Sequence, residues 1–182
     1  MANSYTAATP LMRIEQAINL ATKPALWVGI GKTTAWPGGD VPPEVSPTTQ
    51  FEELVGLKRA EVVSLVVPDA NGEIEHLGEK WRKVPFDPNA ADFAAEIQRI
   101  ITEGARWVYV AAWLRYSELP LVSYRQVGVF VDTVLKAETP PGKSAILPTE
   151  IDHAGLCVVI NNRDPISRAV DQKELQEFII EF

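Results

Sequence analysis

The chain has 182 residues, of which 46% are hydrophobic and 23% charged, the composition of an ordinary soluble protein with room for one sizeable core. A formal net charge of −7 argues against a long basic face and so against direct nucleic-acid binding. The sequence holds no apolar run of the roughly eighteen residues a membrane helix needs. The start, MANSYTAATPLMRIEQ, lacks the basic and apolar regions of a signal peptide, and the single cysteine, Cys157, fits a reducing compartment.

In chain order, Leu11, Ile14, Ala17, Ile18 and Ala21 recur at helical spacing behind Thr9-Pro10, a cap and a first-turn proline. A short helix is expected there, ending at Pro24 and forming an N-terminal arm over residues 1–24. ALWVGIG then reads as a buried strand, followed by the proline-rich loop WPGGDVPPEVSP. TTQFEELVGLKR is expected to form a helix of two or three turns, capped by Thr48 or Thr49, with Glu52 and Glu53 in its first turn. EVVSLVVPD and EIEHLGEKWRKV flank the turn cluster Asp69-Ala70-Asn71-Gly72 and read as a hairpin.

NAADFAAEIQRIITEGA presents Phe93, Ile97, Ile100 and Ile101 on one helical face. RWVYVAAWL and LVSYRQVGVFVD look like strands separated at Pro120, and KAETPPGKSAILPTEID is a second long connection. GLCVVINN reads as a short apolar strand. In QKELQEFIIEF the alternation of Phe178, Ile180 and Phe182 favours a strand over the helix that Leu175, Phe178, Ile179 and Phe182 also allow. With 14 prolines gathered in connections, the expected fold is mostly β with short helices (α+β). Residues 25–182 would form a single β-sandwich-like domain with long proline-rich loops.

The run Gly31-Lys32-Thr33 ends like a phosphate-binding loop, but Leu26 stands where that motif needs its first glycine. Trp36-Pro37-Gly38-Gly39 also cannot continue the helix whose N-terminus would complete an anion site. His153 and Cys157 have a metal-like spacing, yet Gly155 between them and the apolar strand around Cys157 argue for a loop histidine and a buried thiol. Glu52-Glu53 is read as a solvated acidic pair. No catalytic residues, cofactor or metal are therefore expected. Trp27, Trp81, Trp107 and Trp113 lie in or beside apolar segments as core residues. Trp36, in a loop, either covers the end of its own sheet or stands exposed as an anchor for a partner chain or a glycan.

Several short blocks occur in a telling order: Gly31, Lys32, Thr34, Trp36 and Pro37; Leu57 and Lys58; Tyr124, Arg125 and Gln126; Asn162, Arg163, Pro165, Ile166 and Arg168; and Gln172, Glu174 and Phe182. This order resembles the baseplate wedge proteins of T-even-like contractile-tailed bacteriophages, the family of the small peripheral wedge subunit. In that family an aromatic strand leads into a Gly-Lys/Arg-x-Thr-x-Trp loop, a proline-rich stretch and a short helix around the Leu-Lys pair.

The resemblance implies a non-enzymatic, β-sandwich-like virion protein. It would assemble in the host cytoplasm as an oligomer within the tail, with other tail or baseplate proteins as partners and neither nucleic acid nor membrane. Lys32, Thr34, Trp36, Pro37, Tyr124, Arg125, Arg163 and Arg168 are the candidate subunit-interface residues, with Arg163 and Arg168 expected around a proline turn. A neck, tail-completion or head-decoration protein is the alternative within the structural class. A small nucleotide-binding enzyme using the Gly-Lys-Thr loop is the alternative outside it.

Overall fold

Twelve strands and two α-helices make up the computed structural model, which describes residues 9–39, 41–45 and 50–182, and the chain is mostly β. In order these are α1 (Pro10–Ala21), β1 (Leu26–Gly31), β2 (Leu54–Arg59), β3 (Val62–Pro68), β4 (Ile74–His76), β5 (Glu79–Val84), α2 (Phe93–Glu103), β6 (Trp107–Arg115), β7 (Ser123–Val131), β8 (Val134–Leu135), β9 (Ala145–Ile146), β10 (Ile151–His153), β11 (Leu156–Ser167) and β12 (Lys173–Glu181). A 3-10 turn at Pro148–Glu150 precedes β10. Among the described residues no helix is long and apolar enough to cross a membrane.

The chain divides into two compact units, described in turn. The first comprises described residues 9–23, 62–110 and 177–182. Its sheet belongs to the order β12-β6-β3-β5-β4. β3 and β4 do not pair with each other, as a hairpin across Asp69–Gly72 would require. Both pair antiparallel with β5, and the tight hairpin is β4–β5, closed by Leu77 and Gly78 at φ +52° and +83°. Asp69 instead receives the Asn71 N–H at 2.9 Å, so its turn carries the chain over rather than folding it back.

Leu65, Val66, Val84, Val108 and Val110 fill the core, with Ile14 and Ala17 of α1 and Ile100 of α2 buried as well. Pro10 occupies the first turn of α1, whose Thr9 cap makes no side-chain hydrogen bond. α2 is capped at both ends: Asp92 accepts the Ala95 N–H at 2.9 Å, and Gly104 ends the helix at φ +65°.

The second unit comprises residues 24–61 and 111–176, within which 40 and 46–49 lie outside the described residues. Its main sheet has the order β11-β7-β1-β2-β9, with β8–β10 as a separate small pair. β1 is buried along its whole length between β2 and β7, as a continuous apolar run at a sheet centre must be. Phe130 seats over Gly29, where an added Cβ would come within 2.5 Å of its ring. Trp27, Leu57, Phe130, Ile146, Ile151 and Cys157 form one buried cluster, joined by an edge-to-face contact between Phe51 and Phe130.

Three expectations fail in this unit. The helix expected over TTQFEELVGLKR does not form: residues 50–53 are irregular and Leu54–Arg59 is strand β2; the proposed caps Thr48 and Thr49 lie outside the described residues. The Leu57-Lys58 pair carries no short helix either. Glu52 and Glu53 look like first-turn acids, but β2 pairs along β1 and at Leu57 and Lys58 with β9, and tertiary pairing overrides local propensity. The long connection expected after Lys136 is present and holds β9, the 3-10 turn and the start of β10. The proline turn expected at Asn162–Arg168 is instead part of the edge strand β11, whose register with β7 breaks between Asn162 and Ile166. The expected strand at the C-terminal segment is present as β12.

Gly56 separates the two readings of the segment 50–59. In a helix Gly56→Ala would stabilise by about 0.5–1 kcal/mol. In β2 the new Cβ would lie 2.6 Å from a Leu119 methyl and 2.9 Å from the Ile146 carbonyl oxygen, so a loss of stability in urea denaturation is expected.

Candidate functional site

β1 leaves its sheet at Lys32, a lysine at φ +60°, a left-handed conformation that turns the chain sharply. Its N–H donates to the Glu53 carbonyl at 2.8 Å, and its buried ammonium pairs with Glu52 at 2.7 Å. The same ammonium stands 5.6 Å above the Trp36 ring. Thr33 follows, giving both its N–H and its hydroxyl to the Glu53 carboxylate at 2.9 Å. The Thr33 backbone N–H and then its hydroxyl hold the Glu53 carboxyl below the usual glutamate pKa. Where a phosphate loop needs a free lysine and hydroxyl, this loop has engaged both with its own carboxylates.

Trp36 is not exposed. It is 2% accessible, and its indole N–H donates to the Arg163 carbonyl at 3.3 Å. Arg125 of β7 donates to the Thr33 carbonyl at 2.7 Å. Gln126 donates to Asn162 at 3.0 Å and receives the Glu52 N–H at 3.2 Å. Asn162 in turn donates to the Pro43 carbonyl at 3.1 Å. Three sequence blocks far apart along the chain are thus stitched into one strand-end cluster, and the side chains act mostly on backbone. Thr34 and Pro37 are exposed on it.

A second polar centre adjoins it at the start of β7. Tyr124 is fully buried; its hydroxyl donates to Glu174 at 2.6 Å and accepts from Gln176 at 2.8 Å. Burial first, and then the Glu174 carboxylate, pushes the phenol pKa well up, so it stays a neutral donor. Arg163 donates to Gln176 at 3.3 Å. Arg168, with only 1% of its side chain accessible, pairs with Glu174 at 3.3 Å and donates to the carbonyls of Arg115, Leu119 and Pro120 at 2.7, 2.8 and 3.2 Å. It closes the connection from β6 to β7. Glu174, which completes the second centre, belongs to the Gln172-Glu174-Phe182 block, whereas Glu53 and Gln176 carry no spacing signal in the sequence that would have marked them.

Lys58 is equally buried, paired with Glu118 at 2.7 Å and hydrogen-bonded to Ser144 at 3.1 Å. Cys157 lies in β11 as a buried thiol, pushed up to about 12 by burial, and so stays protonated near neutral pH.

These centres define a scaffold, a β-rich protein whose buried charges and amides position loops and strand ends. The chain belongs to the family of baseplate wedge 3 tail fiber network components, whose profile matches residues 5–182. It is similar to virion protein 3 of Enterococcus phage phiEF24C, at 33% identity over 178 residues, which is 95% of this chain and 93% of that protein. The protein is accordingly a structural component of a phage virion, in the tail baseplate.

Two outcomes follow for stability. Arg168→Ala takes this donor from three carbonyls and leaves Glu174 without its buried counter-charge, and is expected to cost about 3–5 kcal/mol in chemical denaturation. Arg168→Lys recovers little of it, because an ammonium cannot reproduce the planar fork. Glu53 has a folded pKa below its ordinary 4.5, so its contribution is present above the unfolded pKa and is lost as pH falls through the lower folded value. Denaturation midpoints measured from pH 6 downward should therefore fall less steeply in Glu53→Gln than in the parent protein.

Proposed function

We propose that the chain is a small peripheral subunit of the baseplate wedge in a T-even-like contractile tail. It acts through subunit contacts rather than catalysis, with other tail or baseplate proteins as partners and without binding nucleic acid or membrane. It assembles in the host cytoplasm and is part of an oligomeric structure in the virion.

The observation that carries this reading is the loop after β1. It is fastened at Trp36 to the Arg163 carbonyl and at Pro43 to the Asn162 amide. Between those anchors Val41 is 81% accessible. A fastened loop that displays an apolar side chain loses little conformational entropy on docking. Thr34 and Pro37, exposed on the same loop, are the contact residues of this proposal, together with Val41 and Val45. Lys32, Trp36, Arg125, Arg163, Tyr124 and Arg168 are the residues that hold the contact surface in shape.

A baseplate position is favoured over neck, completion or decoration roles by the family description. The nucleotide reading is disfavoured because Glu52 and Glu53 occupy Lys32 and Thr33.

Val41→Asp combined with Thr34→Arg tests the surface. Surface changes of this kind should leave the stability of the purified protein within about 0.5 kcal/mol of the parent. The expected result is a phage whose particles lack the protein and whose infective titre collapses. Full incorporation at normal titre overturns the loop as the contact surface. Gold-labelled antibody at the neck rather than the tail tip overturns the wedge position.

A further inference from the structure

On the first unit, one face of the sheet carries a shallow depression of about 480 Å³ that the contacts above leave unused. All five strands of the order β12-β6-β3-β5-β4 contribute to it or border it. Register explains the convergence: Trp81 of β5 stands opposite Pro68 of β3 and Ile74 of β4, so these side chains share a face. Trp107 of β6 meets Trp81 edge-on, with ring centroids 5.7 Å apart. The Arg106 guanidinium lies over the Trp107 ring at 4.4 Å and pairs with Glu181 at 3.0 Å.

Two buried donors among the described residues have no hydrogen-bond partner and belong to side chains lining this depression: the indole N–H of Trp81 and the Nε–H of Arg106. Trp81 is 6% accessible, so its N–H is withdrawn from bulk water. A buried N–H without an acceptor costs about 1–3 kcal/mol. Two at one place mark a site that an acceptor-bearing ligand completes.

The charges decide which ligand. Arg106 is already paired with Glu181, no lysine and no other arginine lines the depression, and the exposed Glu79 among the lining residues repels a phosphate or carboxylate. A neutral ligand fits, with oxygens that accept from Trp81 and Arg106 and hydroxyls that donate to Glu79 and Glu181. It also needs an apolar C–H face to lie against Leu77 and Ile179. A hydroxyl both accepts and donates, and a pyranose ring carries hydroxyls around an apolar face. We propose that this depression is a saccharide-binding subsite, with Trp81 and Arg106 as donors, Glu79 and Glu181 as acceptors and Leu77 and Ile179 as the apolar contact.

Indole N–H resonances of the 15N-labelled protein test it, with the Trp81 signal assigned by Trp81→Phe. Glucose, galactose, N-acetylglucosamine and their linear trisaccharides are titrated, with triglycine as the peptide comparison. At least one saccharide should shift the Trp81 signal saturably while the Trp27 and Trp36 signals stay in place. Arg106→Gln should weaken that binding by roughly tenfold, about 1.4 kcal/mol. Glu181→Gln should weaken it too, and serves alone if Arg106→Gln lowers the melting temperature. The proposal is overturned if no saccharide moves the Trp81 signal at concentrations to roughly 100 mM. A response only to triglycine, which would make the depression a peptide site, overturns it as well.

Discussion

Strand ends within the second unit depend on one requirement: backbone carbonyls taken out of water must find donors. Arg168 meets it where β6 gives way to β7, supplying three carbonyls from a single guanidinium while Glu174 balances its charge. Near the same end of β7, Arg125 does the same for the Thr33 carbonyl, and Trp36 for that of Arg163. Hydrogen bonds involving charged groups are the stronger ones, worth about 1.5–3 kcal/mol each. A few arginines therefore set the course of loops that have no regular structure of their own.

This division of labour separates the residues that shape a surface from those that form one. Side chains singled out as contacts for a neighbour turn inward when they are large or charged: Trp36, Tyr124, Lys32 and Arg168 are all buried. What faces solvent is smaller and less conspicuous, namely Thr34, Pro37 and the valine between two anchors. Buried tryptophan and arginine here give the loop its rigidity.

Much of the fold was legible because local signals agreed with tertiary ones. The apolar run of β1, the Asp92 and Gly104 caps of α2 and the alternation in β12 each point to the element that forms. β2 was misread because its two acids and Leu-Val-Gly-Leu spacing imitate a helix start, while the deciding partners lie elsewhere in the chain. Lys58 could not be placed either, since the Glu118 that allows its burial is 60 residues away. The cluster around Trp36 posed the same difficulty. Its closing bonds span separations of 74 and 127 residues, and spacing carries no information at that range. The order of the short blocks pointed to the family, but not to their meeting in space.

β11 ends its sheet with a register break and with Pro165, which has no N–H to offer. A sheet bounded this way is a poor template for another strand along that stretch. In the subunit assembly proposed above, this edge would discourage open-ended strand stacking between copies.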